Sequence, residues 1–278
     1  MRGGVILLGG FDGLHIGHRL LLKRAKEYGL PVGVMTISGS KGDGVFTLQE
    51  RENIYRRAGV DFAIELPFAE IKELSPQAFV ALIEEQFSPK AFVCGEDFRF
   101  GKSAVGDPEL LRTLTTAQVE VLPLLEVDGE KVSASTVKTC LKAGKIEHVN
   151  TLLGEPFFLT GTVQEGRKVG RTIGFPTANL NYPEGKCPLA YGVYACEVSV
   201  DEKRYRAITN FGAQPTFSGE QVCVETHLDG FDGDLYGKEL TVRFLRKMRD
   251  IQKFACIEDL QRRLQEDLNE IRGEERND

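Results

Sequence analysis

The sequence predicts an α/β doubly wound parallel-sheet domain, followed by an antiparallel β-barrel domain with a C-terminal helix. Three observations lead there. Short apolar runs alternate with helical patterns through the first half of the chain. After Pro156, β-branched and aromatic runs follow one another across short turns rich in Gly, Pro, Asp and Asn. An amphipathic, charge-rich stretch closes the chain.

In order, "GVILLGG" reads as a strand and "IGHRLLLKRAKEYG" as a helix ending at Gly29. "PVGVMTI" is the next strand. "TLQERENIYRRAG" is a helix that Thr47 can cap, with Glu50 as capping-box partner. "VDFAIEL" is a strand, and "SPQAFVALIEEQF" a helix with Ser75 as cap and Pro76 at its first position. "KAFVCG", "DPELLRTLTTA" and "VEVLPLLEV" continue as strand, helix, strand. Such alternation builds a parallel sheet covered on both faces, whose sites lie beyond the carboxyl ends of the strands. "SASTVKTCLKAGKIEHVNTLLG" reads as two short helices broken at Gly144. The β-rich part then contains "FFLTGTVQ", "YGVYACEVSV", "KRYRAITNFG", "QVCVETHLD" and "LTVRFLRKM" before the final helix. The expected division is 1–154, including the helical linker, and 155–278.

Composition bounds the function. The 278 residues are 41% hydrophobic and 27% charged, as in a soluble globular protein. A net charge of −6 disfavours a polyanionic partner, so no nucleic acid is expected. The six cysteines show no CxxC or zinc-like spacing, which fits neutral thiols in a reducing cytoplasm. No apolar run reaches transmembrane length, and the N-terminal run is too short for a signal segment. The expectation is a cytoplasmic protein without a membrane partner, monomeric or weakly homo-oligomeric.

The densest chemistry begins at Gly9, in "GGFDGLHIGH". Glycines let the backbone approach a phosphate, and the helix start offers unpaired N–H groups. His15 and His18 add donors that can follow charge onto a phosphate oxygen, with Gly17 small enough for a nucleotide to lie close. The set suits attack on the α-phosphate of ATP with pyrophosphate leaving. Capping or packing near the helix start is the structural alternative, and a metal site a third. "VSASTVK" presents hydroxyls and a cation at another helix start, suited to pyrophosphate or to a simple Ser cap.

"GGFDGLHIGH", "GEDFRFGKSAVGD" and "VSASTVK" resemble the FMN adenylyltransferase module of the bacterial bifunctional riboflavin kinase/FAD synthetase family. The resemblance implies that Gly9, Phe11, Asp12, His15, Gly17 and His18 line an ATP site. It implies that Gly95, Asp97 and Phe98 hold nucleotide or flavin, and that Ser133, Ser135 and Lys138 form the second phosphate-binding stretch. Two departures stand out. Ala134 and Lys138 replace a serine and an arginine common in the family. The stretch "ISGSKGDGVF" is shorter and more glycine-rich than usual, and is expected to shape the flavin side.

A second glycine-rich stretch, "GTVQEGRKVGRTIGFPTANL", has no P-loop pattern. It joins Gly161, Gly166, Gly170 and Gly174 to Arg167, Lys168 and Arg171, and ends in "PTAN". After Pro176, Thr177 and Asn179 project to one side of an extended segment, as neutral oxygen ligands able to share Mg²⁺ with phosphates. A hairpin with a basic edge is the structural alternative. In "VCVETHL" the period of two puts Cys223, Glu225 and His227 on one face, and Val222, Val224 and Thr226 on the other.

With "NFGAQPTF", "VETHLDGFDGDLYGKEL" and "MRDIQKF", this run resembles the riboflavin kinase module over about residues 157 to 270. The resemblance implies a small barrel that phosphorylates the riboflavin 5′-hydroxyl, Glu225 as base, and Arg249 in a flavin-phosphate contact region. It also implies binding roles for Gly166, Lys168, Gly170, Arg171, Gly174, Pro176, Thr177 and Asn179. A carboxylate can take the proton of an alcohol attacking a γ-phosphate; a solvated strand carboxylate is the alternative. The expected protein makes FMN from riboflavin and ATP, then FAD and pyrophosphate from FMN and ATP, with Mg²⁺. Two other readings stay open: a riboflavin kinase whose first domain binds nucleotide but has lost adenylyl transfer, and a non-catalytic flavin- or RNA-binding regulator.

Overall fold

The computed structural model describes residues 3–39, 42–165, 170, 173–216 and 219–273. They fall into two compact units, Met1–Lys138 and Thr139–Asp278.

The first unit alternates as its hydrophobic pattern requires: β1 (Val5–Leu8), α1 (Ile16–Lys26), β2 (Val32–Ser38), α2 (Leu48–Ala58), β3 (Phe62–Pro67), a single turn α3 (Phe68–Ile71), α4 (Pro76–Phe87), β4 (Ala91–Gly95), α5 (Pro108–Leu114) and β5 (Gln118–Leu122). The five strands run parallel in the order β3-β2-β1-β4-β5. The order reverses between β1 and β4, so loops leaving those neighbouring strands open a crevice at their carboxyl ends. On one face Ile6, Leu8, Met35, Phe92 and Cys94 pack against Phe79, Val80 and Ile83 of α4. Val5, Leu7, Val34 and Val93 point the other way and are equally buried, with α1 packed over β1 and β4.

The expected caps form. Thr47 Oγ1 accepts from the Glu50 amide at 3.2 Å, and Glu50 Oε2 accepts from the Thr47 amide at 2.9 Å. Ser75 caps α4 with Pro76 at its first position. "VEVLPLLEV" is not one strand. Pro123 cannot donate to the ladder, so β5 stops at Leu122, and β6 (Glu126–Val127) instead pairs with β7 (Glu130–Lys131) in a hairpin.

Helix α6 (Ala134–Lys142) and helix α7 (Ile146–Leu153) follow. The sequence assigns them to the segment 1–154, whereas compactness groups the residues from Thr139 onward with the barrel. The cause is the apolar face of α7, where Ile146, Val149, Leu152 and Leu153 are buried. Asn150 fixes that face: its amide donates to the Phe244 carbonyl at 2.9 Å and accepts from the Phe157 amide at 2.8 Å.

The second unit is a closed antiparallel barrel of β8 (Phe157–Gln164), β9 (Ala178–Asn181), β10 (Gly192–Val200), β11 (Lys203–Thr216), β12 (Gly219–Leu228) and β13 (Glu239–Arg249). Strand β9 is the "ANLN" segment, whose register places Asn179 beside Glu225. Alternate residues fill the interior, where Phe157, Tyr194 and Phe244 meet ring to ring. On the outer face Val193, Ala195 and Ile208 pack against Leu268 and Ile271 of the terminal helix α8 (Ile257–Gly273). The barrel therefore has two apolar faces, and α8 covers the second.

Candidate functional site

In the first unit, β1 ends in a turn that closes over itself before α1. His15 is the N-cap of α1, and its Nδ1 accepts from the His18 amide at 3.2 Å. A neutral His15 is thereby fixed with its proton on Nε2, a donor aimed away from the helix. His18 Nδ1 lies 2.9 Å from the Gly13 carbonyl and must donate to it, which leaves Nε2 as the acceptor of a neutral ring. The rings stack at 3.6 Å, and Phe11 stacks on His18 at 4.1 Å.

Burial dominates their ionisation. Desolvation lowers His15 to about 4, against the pull of Asp97 and Asp12. His18 lies well below the ordinary imidazole value, through desolvation and its neighbour His15. Both rings are neutral near pH 7, so this pair offers one donor and one acceptor rather than two cations.

Support comes from behind the turn. Phe11 has φ +40°, a strained value for a residue with a side chain. Tyr55 Oη holds the Phe11 carbonyl. Asp12 Oδ1 accepts from the Val45 amide at 2.9 Å, and Oδ2 pairs with Lys138 Nζ at 2.5 Å. Gly13 has φ +98°, and a Cβ there would meet the Phe46 ring at 2.8 Å. The short segment expected to shape the flavin side therefore does a different job at its far end: Val45 and Phe46 are buried beneath the turn, while Ile37 from its near end lines the cavity.

A cavity of about 300 Å³ opens in front of these groups. Among its walls are Gly9, Phe11, Asp12, His15, Gly17, His18, Gly95, Asp97, Phe98 and Ser133, all singled out in sequence. Ser133 is also the cap of α6, its Oγ accepting from the Thr136 amide at 3.1 Å. Two residues depart from expectation. Ser135, two residues past the cap, is exposed and does not line the cavity. Lys138 reaches the site through Asp12 rather than by lining the cavity itself. Lys131 and Arg99 line the cavity and were missed; Lys131 pairs with Asp97. Their signal was present as single cations flanking "VSASTVK" and inside "GEDFRFG".

In the second unit, the register draws one row across the outer face of the barrel. Asn179 on β9 pairs with Glu225 on β12, Glu225 with Asn210 on β11, Asn210 with Val193 on β10, and Val193 with Arg249 on β13. Residues opposite one another on paired strands share a face. All five line a cavity of about 420 Å³, with Ile173, Phe175, Ile251, Phe254, Leu260 and Leu264 as its apolar part. A second cavity, about 280 Å³, is lined by Pro176, Asp232, Asp234 and Tyr236 and shares Thr177 and Asn179 with the first.

The Glu225 carboxylate faces the larger cavity with no hydrogen bond or ion pair to a described residue. His227 lies along the same cavity wall; its Nδ1 is 2.8 Å from the Pro176 carbonyl, tethering the segment that carries Thr177. Asn179 Nδ2 contacts the Thr177 carbonyl at 3.4 Å, which leaves Oδ1 as the unengaged end of the amide. Gly170 lines the larger cavity, and a Cβ there would strike the Phe175 carbonyl at 2.2 Å. Gly174 has φ +82° in the turn before Pro176.

Arg249 lines the cavity but is not a free flavin-phosphate contact. Its Nη2 pairs with Asp267 at 2.7 Å, its Nε with the same carboxylate at 3.1 and 3.2 Å, and its Nη1 reaches the Asp250 carbonyl at 3.3 Å. Asp267 is fully buried and also takes Arg263 Nη2 at 3.0 Å. Sequence alone gave no hint of this pairing across 18 residues. Gly166, Lys168 and Arg171, expected to bind ATP or flavin, lie outside the described residues.

Comparison with known proteins finds two family models along the chain. Residues 1–136 match the FAD synthetase family model and residues 153–273 the riboflavin kinase family model. A bifunctional riboflavin kinase/FMN adenylyltransferase of Pseudomonas fluorescens is 34% identical over 98% of this chain and 93% of its own. Proteins of the same name from Bacillus subtilis and Mycoplasma pneumoniae are each 31% identical, over 96% and 95% of this chain and 90% and 95% of their own. A solved structure from Streptococcus pneumoniae, described as a macrolide-efflux protein, superposes with a TM-score of 0.91 at 30% identity, over 99% of this chain and 95% of that one. Among the described residues, no helix is long and apolar enough to cross a membrane.

Proposed function

We propose a division of labour for this chain, which belongs to the bifunctional riboflavin kinase/FMN adenylyltransferase family. The chain phosphorylates riboflavin with ATP to give FMN, and adenylylates FMN with a second ATP to give FAD and pyrophosphate. The second unit carries the first step and the first unit the second.

The observation that carries the kinase assignment is the pair of cavities joined at Thr177 and Asn179, with Glu225 facing the larger one. The larger cavity, with its apolar wall, suits an isoalloxazine ring, and the smaller one, with Pro176, Phe231 and Tyr236 in its wall, suits an adenine ring. Glu225 takes the proton of the riboflavin 5′-hydroxyl as that oxygen attacks the γ-phosphorus. The hydroxyl proton moves to the carboxylate, the γ-phosphoryl moves to the alcohol, and ADP leaves. The unengaged Oδ1 of Asn179 and the Thr177 hydroxyl, both neutral oxygens at the cavity junction, fit Mg²⁺. When bound there, the ion would neutralise charge on the phosphates. Arg249 and Asp267 keep a fixed guanidinium at the cavity wall.

In the first unit the His15 Nε2–H donates to an α-phosphate oxygen as the FMN phosphate attacks and pyrophosphate leaves. Helix α1 directs its N-terminal amides at the same place. Lys131, paired with Asp97, supplies a cation close by. The protein works on small-molecule substrates, and the balance of charge gives no reason to add a nucleic-acid partner.

Chromatography of the products from riboflavin, ATP and Mg²⁺ tests the reading. FMN followed by FAD is expected. FMN alone would mean that the first unit binds nucleotide without transferring it, and flavin recovered unchanged would leave only a binding role.

A further inference from the structure

We infer that Asn210 is a substrate-contacting residue of the phosphoryl-transfer site, holding the ribityl chain beside the reacting hydroxyl. The inference rests on the assignment of Glu225 as base. Three observations lead to it. Strand register sets Asn210 directly across from Glu225. Directly opposite residues on paired strands have Cβ atoms about 4.5–5.5 Å apart, within side-chain reach of a shared ligand. Both side chains line the same cavity.

The third observation concerns what the amide does in the protein, which is nothing: among the described residues the Asn210 side chain has no hydrogen-bond partner. Asn210 is half-buried in the cavity wall, so its amide is turned to the cavity and available to a ligand there. An unengaged amide beside an unengaged carboxylate is what a polar ligand with both donors and acceptors would complete.

Position decides which part of riboflavin that is. If Glu225 receives the proton of the 5′-hydroxyl, an amide on the adjacent strand lies a few ångströms along the same polar chain. The ribityl hydroxyls can each give and accept a hydrogen bond there. The tricyclic ring belongs at the apolar end, where Ile251, Phe254, Leu260 and Leu264 line the cavity. Asn210 therefore acts on the orientation of the attacking alcohol, and on recognition of a polyol chain over an apolar one.

The experiment uses the full-length chain and the Asn210→Ala and Asn210→Asp variants, with initial rates of FMN formation. Lumiflavin, which has the ring but only a methyl group in place of the ribityl chain, serves as competitive inhibitor. One net hydrogen bond is worth about two- to tenfold, so losing a donor and an acceptor lowers kcat/KM for riboflavin about four- to a hundredfold. The lumiflavin inhibition constant should move less than about twofold, the scatter expected of a ligand that makes no such bond. Because the amide satisfies no described protein group, thermal unfolding of both variants should match the parent. Unchanged kcat/KM would overturn the inference. So would a parallel loss for lumiflavin, which would put the amide on the ring. Glu225→Gln run alongside separates the two assignments: if it keeps full FMN formation the base is wrong, while the riboflavin-to-lumiflavin split still reports on Asn210.

Discussion

Asp267 offers the sharpest test of how the barrel and its helix are joined. It has no exposed surface, and it neutralises Arg249 through three contacts of 2.7 to 3.2 Å and Arg263 through one of 3.0 Å. In Asp267→Ala the two guanidinium groups lose their carboxylate. Breaking one partner of a buried ion pair typically costs about 3–5 kcal/mol, because the other charge stays desolvated. Arg263 has a side chain 31% exposed and can turn to water, whereas Arg249 at 11% cannot. The lower end, about 3 kcal/mol, is therefore expected. With a urea slope of about 2 kcal/mol per molar, that moves the midpoint down by about 1.5 M. The chain contains no Trp, and most of its seven tyrosines, including Tyr182, Tyr191, Tyr194, Tyr205 and Tyr236, lie in the second unit. Tyrosine fluorescence thus follows the barrel, and far-UV circular dichroism follows both units. Asp267→Asn keeps the shape and one acceptor oxygen, so it should fall between parent and Ala variant. A midpoint shift under about 0.3 M at unchanged slope would refute the reasoning, since the pair would then contribute no more than a surface salt bridge.

Other outcomes follow from the two sites. Glu225→Gln should lower FMN formation by about 10²–10⁴-fold, the usual worth of a general base, while FAD formation from supplied FMN continues; equal loss of both in a folded variant would sink the assignment. His15→Ala combined with His18→Ala should lower pyrophosphate release from FMN and ATP by at least about 10²-fold, the scale of one lost transition-state donor, and leave FMN formation intact. Gly13→Ala, at φ +98° and with its Cβ 2.8 Å from the Phe46 ring, should depress adenylyl transfer selectively. Initial rates of the two reactions measured separately check each one.

How much of this was open to reading from sequence depends on the range of the interactions. The "GGFDGLHIGH" turn, the capping box at Thr47 and Glu50, and the shared face of Glu225 and His227 are local, set by spacings of a few residues. Local periodicity and cap chemistry carry such information. Asn210 lies inside "NFGAQPTF", where nothing local distinguishes it. Its importance depends on which residue of β12 stands opposite, and a slip of one position would have turned it to the interior. Asp267 reads as one more acid on a charged helix; only the packing of α8 on Val193, Ala195 and Ile208 brings it to Arg249. Phe46 reads as a loop aromatic, yet it fills the space that a glycine leaves under the first turn. The linker shows the same limit. Its helices are plain in sequence, but the side they join was decided by the Asn150 contacts with Phe157 and Phe244.

The histidine pair makes a further demand, on the pH dependence of stability. In the unfolded chain an imidazole titrates near 6.5. In the folded chain desolvation holds His15 down to about 4 and His18 well below its ordinary value. Between about pH 6.5 and 4 the unfolded state therefore binds protons that the folded state refuses, and stability falls as pH falls through that window. Above about 6.5 both states hold neutral rings, and the contribution is present in full. Asp97 and Asp12 oppose the shift of His15, so their charges limit the loss without reversing its sign. Urea unfolding at pH 5 and pH 7, followed by circular dichroism, should show a smaller drop for His15→Gln than for the parent, because glutamine keeps polar atoms and does not titrate. A parent and variant with the same drop would mean that His15 is already charged in the folded protein. The first site would then meet ATP with a cation, and the single neutral donor derived from the His15–His18 hydrogen bond would be the wrong basis for its chemistry.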